Sequence, residues 1–140
     1  MSNSLTHCVD ASVIVRHVTS KTVTNLWESW MQADARIVAP SLLYYEVTNG
    51  LYRYQKAGSL PSDAVEKALT AALTLPIELV SNAELHSRAK KAAVKYNLSA
   101  TYDAHYIALA EWMGIEFWTA DKKLVNTLKP FKFDWVKGIE

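Results

Sequence analysis

The chain has 140 residues, half of them hydrophobic and 21% charged, with a formal net charge of +1. This is the length and composition of a single globular domain, 1–140, and it excludes both a disordered chain and one that holds polyanions by a global basic field. One cysteine, Cys8, excludes an internal disulfide and fits a reducing, cytoplasmic compartment. "MSNSLTH" lacks the apolar segment of a secretory signal, and no run approaches the roughly 20 apolar residues of a membrane span.

In chain order, "LTHCVDA" (5–11) reads as a short buried strand with Cys8 inside it, and "ASVIVRHVT" can open a helix at its end. Residues 21–33 carry helical spacing through Val23, Leu26, Trp27 and Trp30. "RIVAP" (36–40) is a second strand ended by proline. Ser41 is then expected to cap a helix that stops near Gly58. A helix begins at Pro61 and Ser62, "PIELV" (76–80) is a third strand, and "SNAELHSRAKKAAVKY" is helical again. "LSATYDAHYIALAE" (98–111) is expected to be a helix with Ser99, Ala100, Asp103, Ile107 and Ala110 on one core-facing stripe. "IEFWTA" (115–120) is a fourth strand, "DKKLVNTL" a short helix, and "FDWVKG" (133–138) a possible fifth strand. Short apolar strands alternating with helices imply parallel strands with helical crossovers. The expected fold is an α/β/α three-layer sandwich on a central, mainly parallel sheet of four or five strands.

Four acids stand where surface charges do not belong. Asp10 closes the first strand and Asp121 follows the fourth; each could serve only as a helix cap. Glu46 lies on a largely apolar helix face, where it could also turn outward to pair with a base. Asp103 interrupts the apolar stripe, and a hydrogen-bonded buried carboxylate is its alternative reading. In an open parallel sheet, ligands bind beyond the carboxyl ends of the strands. Asp10 and Asp121 both end strands there, and Glu46 opens the helix that leaves the second strand. Converging carboxylates repel and raise one another's pKa, and a hard divalent cation, Mg²⁺ or Mn²⁺, compensates them. No histidine or cysteine is placed for a zinc site; His105, two residues past Asp103, reads as structural.

The motifs "VDASV" with Asp10, "PSLLYYEVTNGL" with Glu46, "YDAHYIALA" with Asp103 and "FWTADKKL" with Asp121 resemble, in order and spacing, those of the PIN-domain ribonucleases of the VapC toxin group. The resemblance implies metal-dependent endoribonuclease activity with Mg²⁺ or Mn²⁺, a homodimer, and inhibition by a cognate antitoxin protein. It makes Asp10, Asp103 and Asp121 the closer metal ligands and Glu46 an acid that acts through water. It places Ser12, Asn49 and Thr119 as supporting or substrate-side groups. "THCVD" departs from the family's usual unbroken aliphatic strand, which touches packing rather than the acids.

For RNA grip, Arg88, Lys90, Lys91 and Lys95 share one helix, and Lys122 and Lys123 follow the last acid. Tyr44, Tyr45, Tyr52 and Tyr54 could stack on bases, although packing in a core or subunit interface is the expected use, and the five tryptophans read mostly as core. A phosphoacceptor receiver is disfavoured because "ELVSNA" has no Asp at the end of the third strand. An Asp-x-Asp phosphatase is disfavoured because "DAS" lacks the second Asp. A non-catalytic protein- or RNA-binding module on the same fold is the remaining alternative, and DNA the remaining alternative substrate.

Overall fold

The computed structural model describes residues 5–139. Five strands form one all-parallel sheet: β1 Thr6–Val9, β2 Arg36–Pro40, β3 Ile77–Val80, β4 Glu116–Thr119 and β5 Val136–Gly138, in the order β3-β2-β1-β4-β5. β1 is central, pairing Cys8 with Val38 on one side and with Phe117 on the other. It carries side chains buried on both faces (His7, Cys8 and Val9), as a middle strand under two helical layers must. The order runs outward one way through β2 and β3 and the other way through β4 and β5. The direction of winding therefore switches between β1 and β4, and a crevice opens there at the carboxyl ends.

The helices are α1 Ala11–Thr19, α2 Thr24–Gln32, α3 Leu43–Lys56, α4 Ser62–Leu73, α5 Ala83–Lys95, α6 Thr101–Met113 and α7 Lys122–Leu128, followed by a 3-10 turn at Lys129–Phe131. α1, α3 and α4 pack on one another, and α5 and α6 form a second pair, with α6 laid against β1, β2 and β4. This is the expected α/β/α sandwich, and the possible fifth strand is present. Where α1 and α3 meet, a Cβ on Gly50 would come within 3.1 Å of a Val15 methyl, so a larger residue there would require Val15 to shift by a few tenths of an ångström.

Two local expectations are corrected. Ser41 does not cap α3: its backbone N–H and hydroxyl both donate to the Val80 carbonyl, tying β2 to β3, and the helix begins at Leu43 with no side-chain cap. Nor does α6 show a single core-facing stripe. Ser99 and Ala100 are exposed ahead of the helix, while Ala104 and every residue from Tyr106 to Ala110 are buried. The cause is the position of α6, held between the sheet on one side and α5 on the other. Gly58 does end α3, in the left-handed conformation that glycine tolerates. Cys8 is fully buried. Of the tryptophans, Trp27 and Trp30 are buried, Trp118 and Trp135 pack half-buried on the core, and Trp112 is 37% exposed.

Candidate active site

The crevice at the β1–β4 switch is a cleft of about 860 Å³. Asp10, Glu46, Asp103 and Asp121 all line it, with Ser12 and Asn49. The four acids arrive from four elements: the ends of β1 and β4, the first turn of α3 and the first turn of α6.

Asp10 is 5% exposed. Its Oδ1 accepts from the Ser12 and Val13 N–H groups and the Ser12 hydroxyl, and its Oδ2 accepts from the Thr119 hydroxyl. The two hydroxyls are themselves held. The Ala120 N–H donates to Ser12 Oγ at 2.8 Å, and the Asp121 N–H donates to Thr119 Oγ1 at 3.0 Å. Backbone donors beyond β4 therefore orient two hydroxyls that in turn orient one carboxylate. Burial nevertheless pushes the Asp10 carboxyl up to about 7, against the downward pull of these hydrogen bonds, with the Asp103 charge adding to the rise.

Asp121 caps α7, its Oδ1 accepting from the Lys123 and Leu124 N–H groups. The capping reading of Asp10 and Asp121 is thus correct and compatible with a site, since a cap occupies only part of a carboxylate's capacity. Glu46 does not turn outward: its Oε1 accepts from the buried Tyr106 hydroxyl at 2.7 Å. Asp103 is half-buried, and among the described residues no hydrogen bond reaches its carboxylate, so the reading of a hydrogen-bonded structural Asp finds no partner. Burial, and then the Asp121 and Glu46 charges, raise its pKa above the ordinary value.

A family model for the PIN domain matches residues 7–129. The chain belongs to the PIN-domain family. It is 29% identical over 120 residues to Ribonuclease VapC3 of Pyrobaculum aerophilum, an alignment covering 84% of this chain and 91% of that protein. In structure it resembles the crystal structure of PAE2754 from Pyrobaculum aerophilum, at 22% identity and a TM-score of 0.67, covering 91% of this chain and 87% of that one. It also resembles the sarcin-ricin-loop-cleaving toxin VapC20 of Mycobacterium tuberculosis, at 17% identity and a TM-score of 0.62, covering 86% and 93%. These two likenesses carry the fold.

The acids of this PIN domain suit a hard cation by chemistry: the donors are all oxygen, burial first and neighbouring carboxylates second raise Asp10 and Asp103, and among the described residues no basic group pairs with Asp103. Among the described residues, no three of the His, Cys, Asp and Glu side chains are gathered tightly enough to grip an ion unaided. A cation here would complete its shell with water, as Mg²⁺ commonly does.

Sequence reasoning missed three residues of this site. Arg16 and Arg53 line the cleft from α1 and α3, and a helical-face argument could have placed them: Arg53 lies two turns beyond Glu46, and Arg16 one turn beyond Ser12. Tyr106 was detectable as a polar-tipped aromatic three residues after Asp103. The cations singled out from sequence lie elsewhere. Arg88 pairs with Glu84 and stacks over Trp112, and Lys122 and Lys123 are exposed without lining the cleft. Of the four α3 tyrosines, Tyr44 alone is in core packing, its hydroxyl donating to the Ala72 carbonyl. Tyr45 (81% exposed) and Tyr54 line the cleft, and Tyr52 is exposed. No described helix is long and apolar enough to cross a membrane.

Proposed function

We propose that this protein is a divalent-metal-dependent endoribonuclease, the toxin of a VapC-type toxin–antitoxin pair. The observation that carries the reading is the convergence of Asp10, Glu46, Asp103 and Asp121 on one cleft whose rim holds Arg16 and Arg53. Membership of the PIN-domain family and the likeness to a protein named as a ribonuclease support RNA as substrate.

Asp10, Asp103 and Asp121 would hold Mg²⁺ or Mn²⁺, with Glu46 acting through water. When bound, the ion polarises a phosphate oxygen and lowers the pKa of water beside it. Arg16 and Arg53 bind flanking phosphates through planar, bidentate guanidinium groups. Asn49, exposed on α3 between Glu46 and Arg53, offers an amide to the sugar–phosphate chain. Ser12 and Thr119 keep the Asp10 carboxylate in one orientation, and Tyr106 does the same for Glu46. Among the described residues no hydrogen bond reaches the Asp103 carboxylate, so it can turn to meet the ion, and the oxygen it does not use there can take the proton of the attacking water. In-line attack by water leaves a 5′-phosphate and a 3′-hydroxyl.

Exposed Tyr45, Tyr52 and Tyr54 on α3 offer aromatic surface for a second subunit and an antitoxin segment. The reading is tested by cleavage of a labelled RNA in EDTA and after Mg²⁺ or Mn²⁺ is restored. Cutting that needs the ion and yields 5′-phosphate ends supports it. Full activity in EDTA, or 2′,3′-cyclic phosphate ends, refutes it.

A further inference from the structure

A second pocket of about 320 Å³ opens beside the acid cleft, beyond the carboxyl ends of β2 and β3. It shares Leu42 and Tyr102 with the cleft. Resting on the ribonuclease reading, we propose that this pocket is a nucleobase subsite: it receives one unstacked base of the RNA next to the scissile phosphate in the acid cleft.

The size is at the small end of ligand pockets, about 300–1,000 Å³, and suits a single flat heterocycle rather than a run of nucleotides. Its walls are apolar, from Leu42, Val80 and Leu85. Tyr102, 64% exposed and adjacent to Asp103, stands between pocket and cleft and supplies an aromatic face on which a base can stack.

The polar groups have fixed roles. His105 Nδ1 lies 2.6 Å from the Thr101 carbonyl oxygen, which can only accept, so Nδ1 carries the proton. When both rings are neutral, His105 Nε2 is bare and accepts from His86 Nδ1–H at 2.9 Å. This leaves Nε2 of His86, a ring that lines the pocket, as an acceptor whose plane is set by its neighbour. Asn82 also lines the pocket. Its Oδ1 accepts from the Glu84 N–H, which leaves its amide N–H groups to donate. One oriented acceptor and one donor over apolar walls match the edge of a nucleobase, whose hydrogen-bonding groups lie in the plane of a flat apolar ring. An aliphatic peptide side chain would leave both unpaired.

The test is an abasic scan. A short RNA that the wild-type protein cuts is prepared intact and with a single abasic nucleotide stepped past the cleavage point, and binding is followed by fluorescence anisotropy in EDTA. Ser81→Trp plugs the pocket from its exposed rim, and Tyr102→Ala removes the stacking face; both residues are exposed, and thermal melts confirm the folded state. For wild type, one abasic position beside the cut should weaken binding by about tenfold, the scale of one lost base–aromatic stack. Both variants should bind intact RNA about tenfold more weakly and be indifferent to the abasic substitution at that position. If every abasic penalty is retained undiminished in both variants, the subsite is refuted while the ribonuclease reading stands. If wild type cuts no RNA of a varied panel with Mg²⁺ or Mn²⁺ present, the ribonuclease reading is refuted, and the subsite with it.

Discussion

Tyr106 donates its hydroxyl proton to Glu46 Oε1 at 2.7 Å, joining α6 to α3 across 60 positions of the chain. The same helix carries Asp103 one turn earlier, so the phenol fixes the distance between two acids of the cleft as well as the rotamer of one. Tyr106→Phe should leave the fold intact, since the ring remains buried. Activity should fall by about 10- to 100-fold, the range seen when a group that orients an active-site ligand is lost. Combined with Glu46→Gln, the loss should be less than the product of the two single losses. A rate unchanged in Tyr106→Phe would mean that Glu46 needs no such anchor.

Thr119 is fully buried and relays a hydrogen bond from the Asp121 N–H to Asp10. Thr119→Val keeps the shape and removes both bonds, leaving one buried acceptor and one donor short of a partner. The expected cost is about 1–3 kcal/mol, measured by denaturant unfolding. A loss confined to a few tenths would show that the relay is dispensable for stability.

The Asp10 carboxyl, raised to about 7, makes folding proton-linked in the metal-free protein. The folded state keeps this proton up to about pH 7, whereas the unfolded chain releases it near pH 4. The contribution to stability is therefore full below about pH 4 and is lost as pH rises through about 7. His7 and His17, whose pKa values burial lowers, act in the opposite sense. Subtracting the stability–pH curve of Asp10→Asn from that of wild type isolates the carboxylate. The difference should decline between about pH 4 and 7; a flat or rising difference contradicts the assignment.

Asp103→Asn removes a charge that burial, Asp121 and Glu46 all disfavour. In EDTA near neutral pH the variant should melt about 2–4 °C higher than wild type, while its cleavage activity is abolished. A lower melting temperature would identify Asp103 as a stabilising structural residue instead.

Arg16 and Arg53 should act through phosphate. Arg53→Ala should weaken RNA binding roughly uniformly across sequences and flatten the salt dependence of log K by about 0.7, the single-strand value for one phosphate contact. An unchanged slope would remove Arg53 from the grip.

The architecture was legible because short apolar runs such as "RIVAP" and "IEFWTA" are separated by helical segments, the pattern of parallel strands joined by helical crossovers. Asp10 and Asp121 were legible because they stand at strand ends, where topology alone assigns an edge. Ser41 was misread because a serine before an apolar run has two outlets, its own helix and a neighbouring strand, and only the packed sheet chooses. α6 was misread because a helix covered on both sides loses the periodicity that marks a one-sided one. Arg16 and Arg53 were passed over for clustered lysines, since local density of charge says nothing about which helix face meets the cleft.

The hydrogen bond between Asp10 and Thr119 spans 109 positions, and β1 is completed only when β4 pairs along its free side. During synthesis the first acid therefore emerges well before the strand that completes its surroundings. A nascent chain that has extruded β1, β2 and β3 already exposes Asp10 and Glu46, yet it lacks the two hydroxyl-bound amides and the carboxylate of Asp121. The cleft is assembled last among these elements, so a ribosome that makes this protein carries no finished site until β4 and Asp121 have been translated.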